Sequence, residues 1–191
     1  IAVIIIFQPE LRKALEQIGA SGFSSVTGLL QTKPSDDRLS PQDANEIVEA
    51  CVKMAEVKTG ALIVIERNVS MGDIVSASGV AVDAVISSQL LINIFEDKTP
   101  LHDGAVIIRD NRVAAASCIL PVTQSEIGQE LGTRHRAAVG ASEVSDAFII
   151  VVSEETGKIS IARDGKLEKA VSEAVFRQEL LNLCEKTTPA G

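Results

Sequence analysis

The chain has 191 residues, with 18 Lys and Arg against 26 Asp and Glu and a net charge of −8. That length suits one domain with a core of its own, and the acidic balance argues against non-specific nucleic-acid binding, which needs excess positive charge. With no Trp or Tyr and only five Phe, a surface that stacks single-stranded bases on aromatic rings is all but excluded, and Val, Ile, Leu and Ala must build the core.

Ile1 to Phe7 is a run of seven apolar residues, too short for a bilayer crossing, which takes about 20. It reads either as a buried strand or as the stub of a longer protein cut just after a membrane segment; the chain starts without Met and has no signal-peptide pattern. Leu11, Ala14, Leu15 and Ile18 recur at helical spacing and predict an amphipathic helix over 10–18. Residues 19–39, rich in Gly, Ser and Asp, read as a loop. Ser40-Pro41 then offers an N-cap and a proline at the first helical position. Ala44, Ile47, Val48, Cys51 and Ala55 continue as the apolar stripe of a second helix, ended by Thr59-Gly60, and Ala61 to Ile65 reads as a buried strand.

Residues 67–82 are mixed, broken by Gly72 and Gly79. Residues 83–95 read as a largely buried helix, closed off by Pro100. Ala105–Arg109 and Arg112–Leu120 read as two strands joined by a two-residue turn at Asp110-Asn111. Gly128 to Val139 leads into a short helix. Phe148–Val152 and Ile159–Ala162 read as strands around a turn at Thr156-Gly157, and Leu167–Leu183 as a closing helix. The expected fold class is α/β, a central mixed β-sheet flanked by helices, in one domain over residues 1–191.

Cys51, Cys118 and Cys184 stand far apart with no C-x-x-C pair, which disfavours structural zinc and a disulfide framework and fits a reducing compartment. Two histidines cannot make a His-rich metal cage. The G-x-G-x-x-G, P-loop, G-x-S-x-G and H-E-x-x-H signatures are all missing.

Three segments could carry chemistry. In Leu101-His102-Asp103-Gly104-Ala105, Asp103 is either a turn residue or a carboxylate ligand for a divalent cation, with Gly104 letting a phosphate approach the backbone; His102 alone is more often a turn or surface residue than a ligand. In Gly132-Thr133-Arg134-His135-Arg136, the arginines are either a solvated basic face or an anion cradle. Thr133 is a good N-cap, the helix start after it favours anions, and guanidinium forks match phosphate oxygens. Ser153-Glu154-Glu155-Thr156-Gly157 is either a polar turn or a place to hold a metal or a ribose hydroxyl. Each sits at an element boundary, where ligands collect.

The first two segments resemble the paired DGA and RHR signatures of the diadenylate cyclase (DAC) domain. Phe7-Gln8-Pro9-Glu10-Leu11-Arg12, Lys58-Thr59-Gly60-Ala61-Leu62-Ile63 and Ser153-Glu154-Glu155-Thr156-Gly157 extend the likeness to the membrane-anchored members of that family, over nearly the whole chain. Loop 19–39 and the tail after Leu183 match no motif. The resemblance implies synthesis of cyclic di-AMP from two ATP molecules with release of two pyrophosphates. It implies that Asp103 binds Mg²⁺ or Mn²⁺, with Co²⁺ also suited, and that His102 and Glu154 are further candidate ligands. Gly104 and Ala105 would let phosphate and ribose pack close. Thr133, Arg134 and Arg136 would hold the triphosphate, with His135 orienting their loop. Ser153 and Glu154 would contact phosphate or metal, and Leu120 the adenine. One site holding one ATP cannot join two nucleotides, so a head-to-head homodimer is expected. The resemblance further implies a soluble fragment of a protein held at the cytoplasmic face of the membrane by a segment before Ile1, with a regulatory membrane protein as a possible partner.

Two other readings compete. One is a non-catalytic sensor of ATP or cyclic di-AMP, which has little use for Asp103 beside an anionic ligand unless a metal is present. The other is an oligomerisation module whose motifs are only turns.

Overall fold

The structure, a computed structural model, describes residues 39–125 and 131–185. The apolar start Ile1–Phe7, the helix expected over 10–18 and all but the last residue of loop 19–39 lie outside the described residues. The first described helix, α1 (Pro41–Glu56), begins as its sequence dictates. Ser40 is extended, its Oγ accepts from the Asp43 N–H at 3.0 Å, and Pro41 takes the first helical position. Lys58, at φ 58°, turns the chain out of the helix. Every residue of β1 (Ala61–Ile65) is buried, as a central strand covered on both faces must be.

The order continues α2 (Gly72–Ser78), β2 (Val80–Val85), α3 (Ser88–Phe95), β3 (Ala105–Arg109), β4 (Arg112–Cys118), α4 (Thr133–Val144), β5 (Phe148–Val152), β6 (Ile159–Arg163), β7 (Lys166–Glu168) and α5 (Glu173–Glu185). Asp110 and Asn111, at φ 50° and 57°, form the expected two-residue turn between the paired Arg109 and Arg112.

Two expectations are corrected. The helix expected over 83–95 is shorter: Val80–Val85 is an edge strand, and Ser87 accepts from Leu90 N–H at 3.2 Å to start α3. The helix expected over 167–183 starts later, because Asp164-Gly165, at φ 50° and 70°, makes a second two-residue hairpin that pairs Arg163 with Lys166 and adds β7.

The seven strands lie in the order β2-β4-β3-β1-β5-β6-β7. Only β1 and β3 run parallel; every other pair is antiparallel. Side-chain alternation along β1 divides the core. Ala61, Ile63 and Ile65 join one cluster with Ile47 and Val48 of α1, Leu91 and Phe95 of α3, and Phe176 and Leu180 of α5. Leu62 and Val64 face the other way, against Ala138, Val139 and Ala141 of α4 and the flank of α2. The result is three layers, helices on both faces of a mixed sheet. Among the described residues no helix is long and apolar enough to cross a membrane.

Candidate active site

Strand register builds the site. Ile63 lies beside Val106 in the parallel β1–β3 pair, and Ala61 opposite Val152 in the antiparallel β1–β5 pair. Continuing both registers past the strand ends sets Asp103, Gly60 and Ser153 in a row across one end of the sheet. Strands lie about 4.8 Å apart, so about 10 Å separates the backbone at Asp103 from that at Ser153, within reach of one nucleotide.

Helix α4 points its start at the same end. Its N-cap is Gly132, not Thr133, and no side chain caps it. The extended Gly132 (φ −72°, ψ 176°) places Thr133 at the first helical position instead. First-turn N–H groups therefore have no side-chain cap, the condition under which a helix start receives an anion. A cleft of about 200 Å³ opens here between α4 and the ends of β5 and β6, lined by Thr133, Arg134, His135, Ser153, Glu154, Glu155, Lys158 and Lys169 among others. Arg134 Nη1 donates to Glu154 Oε2 at 2.5 Å. The Glu154 side chain is 63% exposed and that of Arg134 21%, so the pair sits at the cleft wall with its carboxylate toward water.

The two arginines do not act side by side. Residues two apart on a helix point to different faces, and Arg136 lies exposed outside the cleft, its Nη2 reaching the Thr123 carbonyl at 3.5 Å. His135, between them, is only 8% exposed. Burial lowers its pKa, Lys169 lowers it further, and Glu155 partly opposes them. Ser153 closes the turn after β5: its carbonyl accepts from Gly157 N–H at 2.8 Å and its Oγ from Thr156 N–H at 3.3 Å.

Asp103 is exposed at the sheet end, and its carbonyl accepts from Ser117 Oγ at 2.8 Å. Between the pairs Ala105–Cys118 and Ile107–Ala115 the register shifts by one residue, and Ser117, in the extra length of β4, sits at φ 56°. Such a bulge re-aims the chain ends beside it. Gly104 is at φ 113°, and a Cβ there would lie 2.7 Å from Ser117 C and 2.9 Å from Cys118 N and O. On the side a Cβ would take, Gly104 thus packs against the neighbouring strand. Ala105 is fully buried and Leu120 only 5% exposed, both in the apolar cluster that also holds Met71, Ala138 and Val139, and neither is among the residues that line the cleft.

His102 turns toward the preceding loop. Its Nδ1 donates to the Thr99 carbonyl at 2.6 Å, and its Nε2 lies 4.0 Å from Asp97. With Nδ1 donating to the carbonyl, Nε2 is the ring nitrogen that could serve as a ligand. Among the described residues no three His, Cys, Asp or Glu converge to hold an ion. Asp103 still fits a hard cation, because Mg²⁺-type sites need one or two carboxylates and take phosphate oxygens and water for the rest. The sequence reading gave no site role to Lys158, Lys169 or Gly60. Gly60 lies buried beneath the Arg134–Glu154 pair; its place before a buried strand and within the Lys58–Ile63 segment were the signals that pointed to it.

An exposed carboxylate and a guanidinium-led helix start thus stand at one end of the sheet of an α/β domain. A family model described as "DisA bacterial checkpoint controller nucleotide-binding" (DAC) matches residues 48–167. The cyclic di-AMP synthase CdaA of Bacillus subtilis is 48% identical over 189 residues, 98% of this chain and 67% of that protein. A diadenylate cyclase of Listeria monocytogenes is 46% identical over 186 residues, 95% of this chain and 64% of that protein. The crystal structure of a double-cysteine mutant of DacA from Staphylococcus aureus superposes with a TM-score of 0.73 at 46% identity, covering 75% of this chain and 95% of that one. A structure described as a hypothetical membrane spanning protein from Bacillus cereus gives a TM-score of 0.63 at 36% identity, covering 88% of this chain and 80% of that one. The chain belongs to the DAC family and is a diadenylate cyclase domain. It spans about two thirds of the length of the curated relatives it matches.

Two outcomes follow from these local environments. Gly104→Ala must push against backbone at a positive φ, and is expected to cost about 1–3 kcal/mol, seen as a fall in Tm of several degrees; an unchanged Tm would contradict the packing. His135 has a folded pKa below its ordinary 6.5, so the unfolded state binds the extra proton. Its contribution to stability is complete above about pH 6.5 and is lost as pH falls toward the lowered value. From about pH 7.5 to pH 5.5, Tm is expected to fall more steeply in the wild type than in His135→Gln; parallel curves would contradict the assignment.

Proposed function

We propose that this domain condenses two ATP molecules into cyclic di-AMP and releases two pyrophosphates. The observation that carries the reading is that strand register sets the exposed Asp103 at the same sheet end as Ser153, which lines the cleft together with Arg134 at the start of α4, although Asp103 is not itself among the lining residues. The names of the relatives, a cyclic di-AMP synthase and diadenylate cyclases, support it.

In each half-reaction the 3′-oxygen of one ATP attacks the α-phosphorus of the other. The new P–O bond forms as the bond to the leaving pyrophosphate breaks, and the hydroxyl proton leaves to Asp103 or water. The protein's work is positioning and charge stabilisation. Arg134 and the N–H groups of α4 grip the phosphate tail, with Lys158 and Lys169 adding positive charge along the cleft. Arg136, outside the cleft, takes the outer side of the phosphates or a neighbouring copy. Asp103 aligns the hydroxyl and would hold a divalent ion, together with phosphate oxygens and water. That ion, when bound, neutralises charge developing on the α-phosphate. Oxygen donors suit Mg²⁺ or Mn²⁺, and the imidazole lone pair of His102 would widen the choice to Co²⁺.

Among the described residues each chain offers one such cleft, so two chains face each other with antiparallel ATP molecules. Attachment of the longer protein to the cytoplasmic side of a membrane, where ATP is supplied, belongs to the same proposal and agrees with the description of the Bacillus cereus structure.

Incubation with ATP and Mn²⁺ tests the reaction. Asp103→Asn is expected to lower cyclic di-AMP formation at least about 100-fold while ATP affinity stays within about threefold of wild type. Lost affinity with normal turnover would contradict the role of Asp103, and ATP binding without product in the wild type would favour a sensor. Specific activity is also expected to fall on dilution below the dimer's dissociation constant; constant activity in a strict monomer would overturn the two-chain arrangement.

A further inference from the structure

Gly60 ends the connection from α1 and lies directly before β1, buried and in the row between Asp103 and Ser153. A Cβ at this position would lie 2.8 Å from Arg134 Cζ and 2.9 Å from Glu154 Oε2, with Arg134 Nη1 closer still. No real Cβ tolerates such neighbours, so the missing side chain is the space that the ion pair occupies. Gly60 is not in a left-handed conformation. Its backbone therefore does not require glycine; only the pair above it does.

The contrast with Gly104 is informative. There an added Cβ meets backbone, which cannot yield. At Gly60 the neighbouring atoms belong to the far ends of two long side chains, which can swing away without disturbing the sheet. A methyl group at residue 60 would therefore spare the fold and displace Arg134 and Glu154. A guanidinium moved outward by a fraction of an ångström no longer meets phosphate oxygens at the angle a fork demands.

We propose that Gly60 is a positioning residue: its bare Cα is the floor that seats the Arg134 guanidinium, with Glu154 as its side wall, at the height required to grip the phosphate tail. The inference rests on the reading of the cleft as a nucleotide site.

The test is a double-mutant cycle on the full 191-residue chain. Affinity for an ATP analogue with a non-cleavable α–β bridge is measured by calorimetry, alongside Tm. Gly60→Ala is expected to weaken binding about tenfold with Tm within about 2 °C of wild type. In an Arg134→Lys background the ammonium group has no planar fork to displace, and the same glycine change is expected to cost less than about twofold. Equal losses in both backgrounds, no loss in either, a Tm fall like that of Gly104→Ala, or no binding by the wild type would each overturn the proposal. If the wild type binds the analogue but makes no cyclic dinucleotide from ATP, the proposed reaction fails while the cycle still decides the role of Gly60.

Discussion

The site depends above all on the hydrogen-bond register of β1 against its two neighbours. β1 runs parallel to β3 and antiparallel to β5, so the start of β1, the start of β3 and the end of β5 are forced to one end of the sheet. Because both faces of these strands are buried, a slip of one residue would turn Ile63 and Val64 to the wrong layers and is strongly disfavoured. Core packing thereby fixes where Asp103 and Glu154 stand.

On that frame the two halves of the site have different character. The side near β3 is stiff and locally irregular: Gly104 and Ser117 both adopt positive φ at a bulge, and the Asp103 carbonyl is tied to the Ser117 hydroxyl. The Asp103 side chain is exposed there. The side near α4 is a cleft walled by long, partly exposed side chains that can exchange partners. Glu154 accepts from Nη1 at one edge of the Arg134 guanidinium, which keeps that fork oriented. Rigid placement of a carboxylate beside an adaptable cationic grip suits phosphoryl transfer, in which alignment and charge neutralisation do most of the work.

Much of this was readable from the residues. Ser40-Pro41 fixed the start of α1, Asp110-Asn111 the β3–β4 turn, and the apolar runs at 61–65 and 148–152 the central strands. The Asp164-Gly165 hairpin was equally legible by its turn chemistry but is hidden against the helical pattern of the residues after it. The divergence of Arg134 from Arg136 follows from helical geometry once the helix is known to include both. What local pattern could not supply is tertiary: that Leu120 and Ala105 are buried in the apolar cluster, that Gly104 faces a neighbouring strand, and that Gly60 lies under an ion pair joining residues 20 positions apart.

The most direct measurement is a crystal structure of the chain with a non-cleavable ATP analogue and Mn²⁺. The expected result has the triphosphate against the first turn of α4, touching Arg134, with Mn²⁺ between its oxygens and Asp103. A phosphate tail seated away from α4, or an Asp103 carboxylate turned from the bound nucleotide, would contradict the assignment of this sheet end as the active site.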